Sequence, residues 1–362
     1  MQADRREFLD AIIRTDELCG LEIGALHRPI IKRDQFNSKG CIYYLDYAPT
    51  SILQENYRNN PTVDVDEIVE VDFVCPNGDL EEAVGCKRFD YIVASHVIEH
   101  VPNPIKFLKQ INMLLHPGGL LLLVVPDKRF TFDIQRPLST FGDLLGRYFQ
   151  NIEVPPISAV YDHFSCAMEV DGHKVWTGRL NAEELIPITD NAIAWRNAKQ
   201  VHDDKVYHDV HVNIFTPQSF FDILERIVNN DLVLWKGVAF QDTQPGKIDF
   251  SIILEKPKKH GKWNKHNCLR TFPDLSSKTS VLPYAAQVES LSRALSDLTE
   301  AHGDLSRSNE EAKAKISSLK NERRRLKDEL STTYTTLNRK SVKLTLVVVH
   351  KIFSFFRKIS GN

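Results

Sequence analysis

No apolar run in this sequence approaches the roughly 18 residues of a membrane span. Residues Met1 to Glu7 lead into a mixed amphipathic stretch without the apolar core of a secretory signal. A cytoplasmic location is the expectation. The six cysteines, Cys19, Cys41, Cys75, Cys86, Cys166 and Cys268, are scattered and form no C-x-x-C pair, so a reducing compartment is the simplest reading. An excess of charge is missing too: 46 basic against 48 acidic side chains leave a net charge of -2, which argues against a nucleic-acid-binding surface. Any basic function must be local. With 362 residues, 42% of them hydrophobic and 26% charged, the chain can bury one enzyme-sized core and still carry appendages.

What is present is a rhythm. From residue 18 to about 126, short apolar runs alternate with longer amphipathic or polar stretches, the pattern of βαβ units around a parallel sheet. Strands are expected near residues 19 to 23, 41 to 45, 67 to 73, 89 to 94 and 119 to 125. Ile105, Leu108, Ile111, Leu114 and Leu115 share one helical face and His116-Pro117-Gly118-Gly119 stops it, so a crossover helix should separate the last two. Residues 127 to about 215 break the rhythm with four prolines and a concentration of histidines, His163, His173, His202, His208 and His211, and read as a substrate-covering insertion. Thr216-Pro217 then caps a helix through Phe220, Phe221, Leu224 and Ile227. Residues 232 to 240 and 249 to 254 follow as a hairpin closing the sheet. The expected organisation is an N-terminal helix over 1–17, a main domain over 18–256, and a linker over 257–284 rich in Lys, His, Asn, Ser and Pro.

Three acids stand at the ends of apolar runs: Glu22, Asp46 and Asp72. The carboxyl ends of parallel strands are where open α/β sheets bind ligands, so this ladder points to a nucleoside.

Leu21-Glu22-Ile23-Gly24-Ala25, Asp46, Val71-Asp72-Phe73, the stretch from Phe89 to Val101, and Leu115-His116-Pro117-Gly118-Gly119 together resemble the class I S-adenosylmethionine-dependent methyltransferases. The resemblance runs in order from about 18 to 126 and implies an α/β fold with a Rossmann-like methyltransferase sheet and S-adenosyl-L-methionine as cofactor. It also implies roles. Gly24 and Ala25 would let the first loop approach the methionine part, with Glu22 behind them. Asp46, with Tyr47 beside it, would accept the ribose hydroxyls. Asp72 would take the adenine amino group with Phe73 at the ring, and Ser95 and His96 would line the sulfonium side. Physical chemistry agrees with the main assignments, since a carboxylate suits paired hydroxyls and a glycine permits close backbone approach. The first loop departs from the family, because Leu26-His27-Arg28-Pro29 is bulky and basic and Leu26 stands where a second glycine is usual. His27 or Arg28 could then face the cofactor carboxylate. An NAD-dependent dehydrogenase would also place an acid after its second strand, but G-x-G-x-x-G is missing. A non-catalytic scaffold with a degenerate methyltransferase domain is the reading from the opposite class, and the bulky loop is its support.

Methyl transfer from a sulfonium is an in-line displacement, so the protein must align the acceptor and, for a hydroxyl, remove its proton. His96 can serve as that base or merely touch the cofactor, and His100 would share its face on a helical turn. Asp127, Lys128 and Arg129 leave the fifth strand toward the same rim as an acceptor site, joined by His163 next to Asp162. His208 and His211, three apart with Asp209 between them, can act as bases or metal ligands; no metal is expected, because isolated histidines are more often hydrogen-bonded structure. Pro126-Asp127-Lys128-Arg129, the His208 to His211 segment and the C-terminal architecture resemble, more loosely, methyltransferases found with bacterial surface-polysaccharide assembly enzymes. That implies a sugar or glycan hydroxyl as acceptor.

The C-terminal architecture is a seven-heptad apolar repeat from Val288 to Leu337, expected as a coiled coil over 285–338 that makes a homo-oligomer. A long helix packed on the enzyme domain is the competing reading. His302, Asn309 and Arg323 in the seam would fix register at some cost in stability. Over 339–362, Arg339, Lys340, Lys343, Lys351, Arg357 and Lys358 surround Val342, Leu346, Val349, Phe353 and Phe356. Such a basic amphipathic tail can dock peripherally on an anionic membrane or on a glycan-assembly enzyme, or can continue the oligomer packing.

Overall fold

The strands near the middle of the sequence are apolar on both faces, as strands covered on two sides must be. In the computed structural model, which describes residues 2–36, 39–180, 182–204, 207–258, 264–273, 275, 283–336, 349–355 and 357, they form one seven-stranded sheet. Its strands are β1 (Cys19–Ile23), β2 (Cys41–Asp46), β3 (Phe73–Val74), β4 (Phe89–Ser95), β5 (Leu115–Pro126), β8 (Lys236–Gln241) and β9 (Asp249–Glu255). Two short strands, β6 (Met168–Glu169) and β7 (Ile186–Pro187), pair separately. The main order is β3-β2-β1-β4-β5-β9-β8; β1 to β5 run parallel, while β9 is antiparallel to β5 and to β8.

Alternation along β5 shows how the sheet divides the core. Leu121, Leu123 and Val125 face one apolar layer, which contains Ile105, Leu108 and Ile111 of α4 and Phe220, Phe221 and Leu224 of α9. Leu120, Leu122 and Val124 face the other, with Leu9 of α1, Ile31, Ile42 and Tyr91. The helices are α1 (Gln2–Asp10), α2 (Thr50–Tyr57), α3 (Leu80–Val84), α4 (Pro104–Leu114), α5 (Phe141–Phe149), α6 (Ile157–Cys166), α7 (Gly172–Trp176), α8 (Asn191–Asp204), α9 (Pro217–Asn229), α10 (Lys265–Leu269) and α11 (Pro283–Thr336). The Thr216 hydroxyl accepts the Ser219 N–H at the start of α9, and Pro217 occupies its first turn, so the cap signal in the sequence does fix that boundary.

Four features differ from the sequence reading or add to it. The run from Ile68 to Val71 is not a strand: Ile68 packs with Ala48 and Leu53, and Val69 N–H donates to Leu26 O, so these apolar residues cover the first loop instead of extending the sheet. The strand begins only at Phe73. Second, residues 127–215 hold α5 to α8, with α6 and α8 packed around Val160, Val201, Val210 and Val212. Third, part of the expected linker is structured, because α10 lies within it and Cys268, Phe272 and Leu275 are buried in the main core. Fourth, the parallel register sets Cys19 opposite Cys41, and the two form a disulfide where free thiols were expected.

Residues 1–286 form one unit and 287–362 another. In the second, α11 is a single 54-residue helix on which Leu305, Ile316, Leu319, Leu326 and Leu330 are exposed. The heptad side chains from Val288 to Leu298, and Leu337, lie outside the described residues. Of the tail, residues 349–355 and 357 are helical and the others lie outside the described residues. Among the described residues no helix is long and apolar enough to cross a membrane.

Candidate active site

The first loop is held from behind by Glu22. Its side chain is 2% exposed, and its two carboxylate oxygens accept the N–H groups of Ile30 and Ile31 at 2.7 and 3.0 Å. Burial pushes its carboxyl up to about 7 against the pull of those hydrogen bonds. Gly24 turns the chain with φ +69°, and a Cβ there would come within 2.9 Å of Val97 Cγ2, so the position demands glycine on two grounds. Leu26 takes φ +47°, carrying by itself the left-handed turn that the family's second glycine would make. Ala25 is buried beside it, whereas both ring nitrogens of His27 are buried without a hydrogen-bond partner among the described residues.

Asp46 closes β2 beside this loop. One oxygen accepts the Tyr47 N–H at 2.7 Å, and burial raises its carboxyl to about 6, with the charge of Asp209 adding to the effect. Asp209 of the insertion thus lies near enough to act on Asp46 electrostatically. Tyr47 is exposed and its hydroxyl accepts from Asn56. Asp72 sits elsewhere than expected: it precedes β3, its carboxylate accepts the Tyr44 N–H at 2.7 Å, and Arg33 pairs with it. These contacts tie the carboxylate to β2. Phe73 stacks on Tyr43, with ring centroids 5.5 Å apart, and belongs to the core layer.

After β4 the chain turns sharply at His96, whose φ is +56°. Backbone strain of this kind persists only where surrounding contacts hold it. Arg5 reaches from α1 to Ser95 Oγ at 3.1 Å and to Asp249 at 2.5 Å; Asp249 in turn lies 3.1 Å from His96 Nε2. His96 Nδ1 is 3.4 Å from Glu99. Burial disfavours charge on the ring, but the Asp249 and Glu99 carboxylates outweigh it and raise His96 to about 9. With Asp249 bonded at Nε2 and the ring held protonated, His96 is poorly placed to take a proton, which argues against the base role that the sequence left open for it beside cofactor contact.

The insertion supplies the rest. Asp133, 2% exposed, pairs with Arg136 at 3.0 Å and contacts His211 Nδ1 at 2.6 Å. Arg136 also donates to His211 O. His163 Nδ1 accepts the His211 N–H at 3.2 Å, and burial lowers its ring to about 4. The 211–213 strand-like segment is pinned to the turn after β4, because Glu99 O accepts from Val212 and Asn213 N–H. Asn213 donates further to Ile98 O and Val101 O. His211 thereby comes against His100, ring centroids 4.8 Å apart, and His100 Nδ1 lies 2.7 Å from Asp209. His208 Nε2 is buried without a hydrogen-bond partner among the described residues. Asp127 departs from the acceptor role expected for it: it is 0% exposed, accepts from Thr243, and pairs with Arg129 at 2.6 Å. It fixes the exit of β5. Lys128 is half-buried, its ammonium destabilised by burial.

Arg5, Glu99, Asp133, Arg136, Asn213 and Asp249 were not singled out from sequence. Glu99 had a signal, since it stands inside the Ser95 to His100 stretch that carried the family resemblance, and Asp133 closes the charged run after the fifth strand that read as an acceptor site.

A family profile described as a methyltransferase domain matches residues 13–227, more than half of the chain. The chain therefore belongs to the methyltransferase-domain family, and its cofactor is S-adenosylmethionine. A ubiquinone biosynthesis O-methyltransferase from Parvibaculum lavamentivorans is 31% identical over 75 residues, which span 21% of this chain and 29% of that protein. The CurJ carbon methyltransferase matches with 13% identity and a TM-score of 0.34, over 71% of this chain and 54% of that one. A methyltransferase from Methanosarcina mazei gives 14% and 0.37, over 70% and 98%. The CcbJ methyltransferase from Streptomyces caelestis gives 10% and 0.35, over 70% and 94%.

The residues present fit that cofactor. Gly24 leaves a concave loop that a Cβ would disturb, and Asp46 offers a carboxylate to hydroxyls at the strand end.

Proposed function

We propose that the chain transfers a methyl group from S-adenosylmethionine to an oxygen, and that the acceptor is a sugar hydroxyl in glycan or polysaccharide biosynthesis. The observation that carries this reading is the convergence on one rim of Asp46 and the Gly24 loop with two imidazoles, His100 and His211, each set against an aspartate. The cofactor, when bound, supplies an electrophilic methyl on a sulfonium. Asp46 accepts the ribose hydroxyls, and the Gly24 loop admits the methionine part to backbone contact. Ser95 and His96, braced by Arg5 and Asp249, line the sulfonium side, while His100 and His211 hold the acceptor oxygen in line. Alignment supplies much of the acceleration of a displacement.

A cavity of about 380 Å³ in the insertion, with a mixed polar and apolar lining, has room for a sugar-sized acceptor. Asp143, Arg147, Gln150, Ser158 and Asp162 line it, and Arg136, whose guanidinium holds His211 O, forms part of the wall. Incubation with S-adenosylmethionine and a panel of sugars, nucleotide sugars and glycan fragments should release S-adenosylhomocysteine and yield a product heavier by one methylene. Turnover with quinols or other phenols alone would overturn the sugar assignment.

The exposed leucines of α11 support a coiled-coil homo-oligomer, since an unpartnered apolar seam at heptad spacing is what a second copy covers. Removing residues 287–362 should lower the mass seen in light scattering and leave cofactor binding intact. An unchanged mass would refute the oligomer. The basic tail supports peripheral attachment to a membrane or an assembly enzyme.

A further inference from the structure

We propose that Glu99, His100 and His211 bind one divalent transition-metal ion of the zinc type. Each offers a ligand atom, and the three atoms lie within 4.8 Å of one another. The ligands come from two places: Glu99 and His100 from the turn after β4, and His211 from the segment whose neighbours Val212 and Asn213 donate to Glu99 O. The clamp that joins the two segments is thus the one that gathers the ligands.

Two independent observations point to a cation. The first is Glu99 itself. It is 1% exposed, and neither carboxylate oxygen has a hydrogen-bond partner among the described residues. Its neighbours are imidazoles, His96 Nδ1 at 3.4 Å and His100 Nε2 at 4.0 Å. The imidazoles offset part of the cost of burying this carboxylate, but its oxygens lack hydrogen bonds, and a metal ion at them supplies the missing ligation.

The second is what stands behind the histidines. His211 Nδ1 is hydrogen-bonded to Asp133 at 2.6 Å, and His100 Nδ1 lies 2.7 Å from Asp209 as a close ion-pair contact without hydrogen-bond geometry, which leaves the two Nε2 atoms for coordination. Metal-bound histidines characteristically set the other ring nitrogen against a carboxylate, which fixes the ring and raises its basicity. Asp133 is in turn locked by Arg136 at 3.0 Å. Two imidazoles and one carboxylate form a ligand set suited to zinc or iron with a position left open, whereas magnesium and calcium prefer oxygen. Tetrahedral coordination at about 2.0–2.1 Å puts ligand atoms about 3.4 Å apart, so small side-chain movements close the present spacing.

The role of such an ion rests on the methyl-transfer reading above. An acceptor hydroxyl entering the open position would become more acidic and release its proton to solvent, leaving the oxygen nucleophilic. His100 and His211 would then hold the acceptor through the ion.

The test uses the full chain without an affinity tag, stripped with a chelator and titrated calorimetrically with Zn²⁺, then with Mg²⁺ as a comparison. The expected result is one Zn²⁺ per chain in the micromolar range or tighter, and no Mg²⁺ at that strength. Glu99→Gln and His100→Ala should each weaken Zn²⁺ binding by 100-fold or more, with circular dichroism and S-adenosylmethionine binding retained as evidence of folding. Asp209→Asn should weaken it by about 10- to 100-fold. His202→Ala, at an exposed histidine, should change nothing. Absence of stoichiometric binding, or equal binding by wild type, Glu99→Gln and His100→Ala, would overturn the site and make Glu99 a counter-ion of His96. Methyl transfer that persists in chelator would overturn only the ion's role, and a metal-binding chain that transfers no methyl would overturn the activity but not the site.

Discussion

Asp46→Ala should lower S-adenosylmethionine affinity by about 10²- to 10⁴-fold, because two hydrogen bonds from ribose hydroxyls to a charged acceptor are worth about 1.5–3 kcal/mol each and every 1.4 kcal/mol is tenfold. Isothermal titration of the purified variant measures it directly. The position makes Asp46 hard to replace: it ends β2, next to β1 in register, and the Gly24 N–H donates to Leu45 O, so strand end and loop are one piece. The same carboxyl gives a pH signature. Its pKa is raised to about 6 in the free protein, so protonation below that value removes the ionised acceptor and the affinity should fall as pH drops through 6. Bound ribose favours the ionised form, so the fall should be steepest just below 6. Asp46→Asn should bind weakly with no such slope. Wild-type affinity in Asp46→Ala would remove the ribose from this strand end.

Asp133→Ala should cost about 3–5 kcal/mol of stability, because it strands the Arg136 guanidinium, 3% exposed, without its counter-charge. Chemical denaturation reads this loss. Some of it should return in the double variant Asp133→Leu with Arg136→Met, since removing both charges leaves none buried alone. The single variant also frees His211, whose Nδ1 Asp133 holds, so methyl transfer should drop by at least tenfold while S-adenosylmethionine still binds. A cost below about 1 kcal/mol would show that Arg136 is satisfied by His211 O and Ala159 O alone.

The contrast between these two acids explains what the sequence discloses. Asp46 was legible because a parallel strand announces its own end, and its neighbours in the site, Gly24 and Ala25, lie at the end of the adjacent strand. Asp72 was misplaced by one strand boundary: the alternating run at 68–71 looks like a strand, but its apolar side chains cover Leu26 and α2, and sequence periodicity cannot say which surface a residue covers. The pairings of Asp133 and Asp249 could not be found, because their partners are distant in the chain: His211 is 78 residues from Asp133, and His96 is 153 from Asp249. Asp127 failed in the opposite sense. Charges after a strand suggest a rim, yet its carboxylate is fully buried with Arg129 and Thr243. The hairpin, the crossover helix and the capped helix after Thr216 were legible because each depends on local chemistry.

The closing hairpin sets an order of events during synthesis. Arg5, Ser95 and His96 emerge early, but the carboxylate that joins Arg5 to His96 belongs to Asp249, 244 residues after Arg5. Contacts of such sequence separation form late, after the costly loop closures between them. The first helix of a nascent chain must therefore wait, its arginine unpaired with Asp249, until the ninth strand has left the ribosome, and an incomplete chain cannot assemble the braced turn at His96.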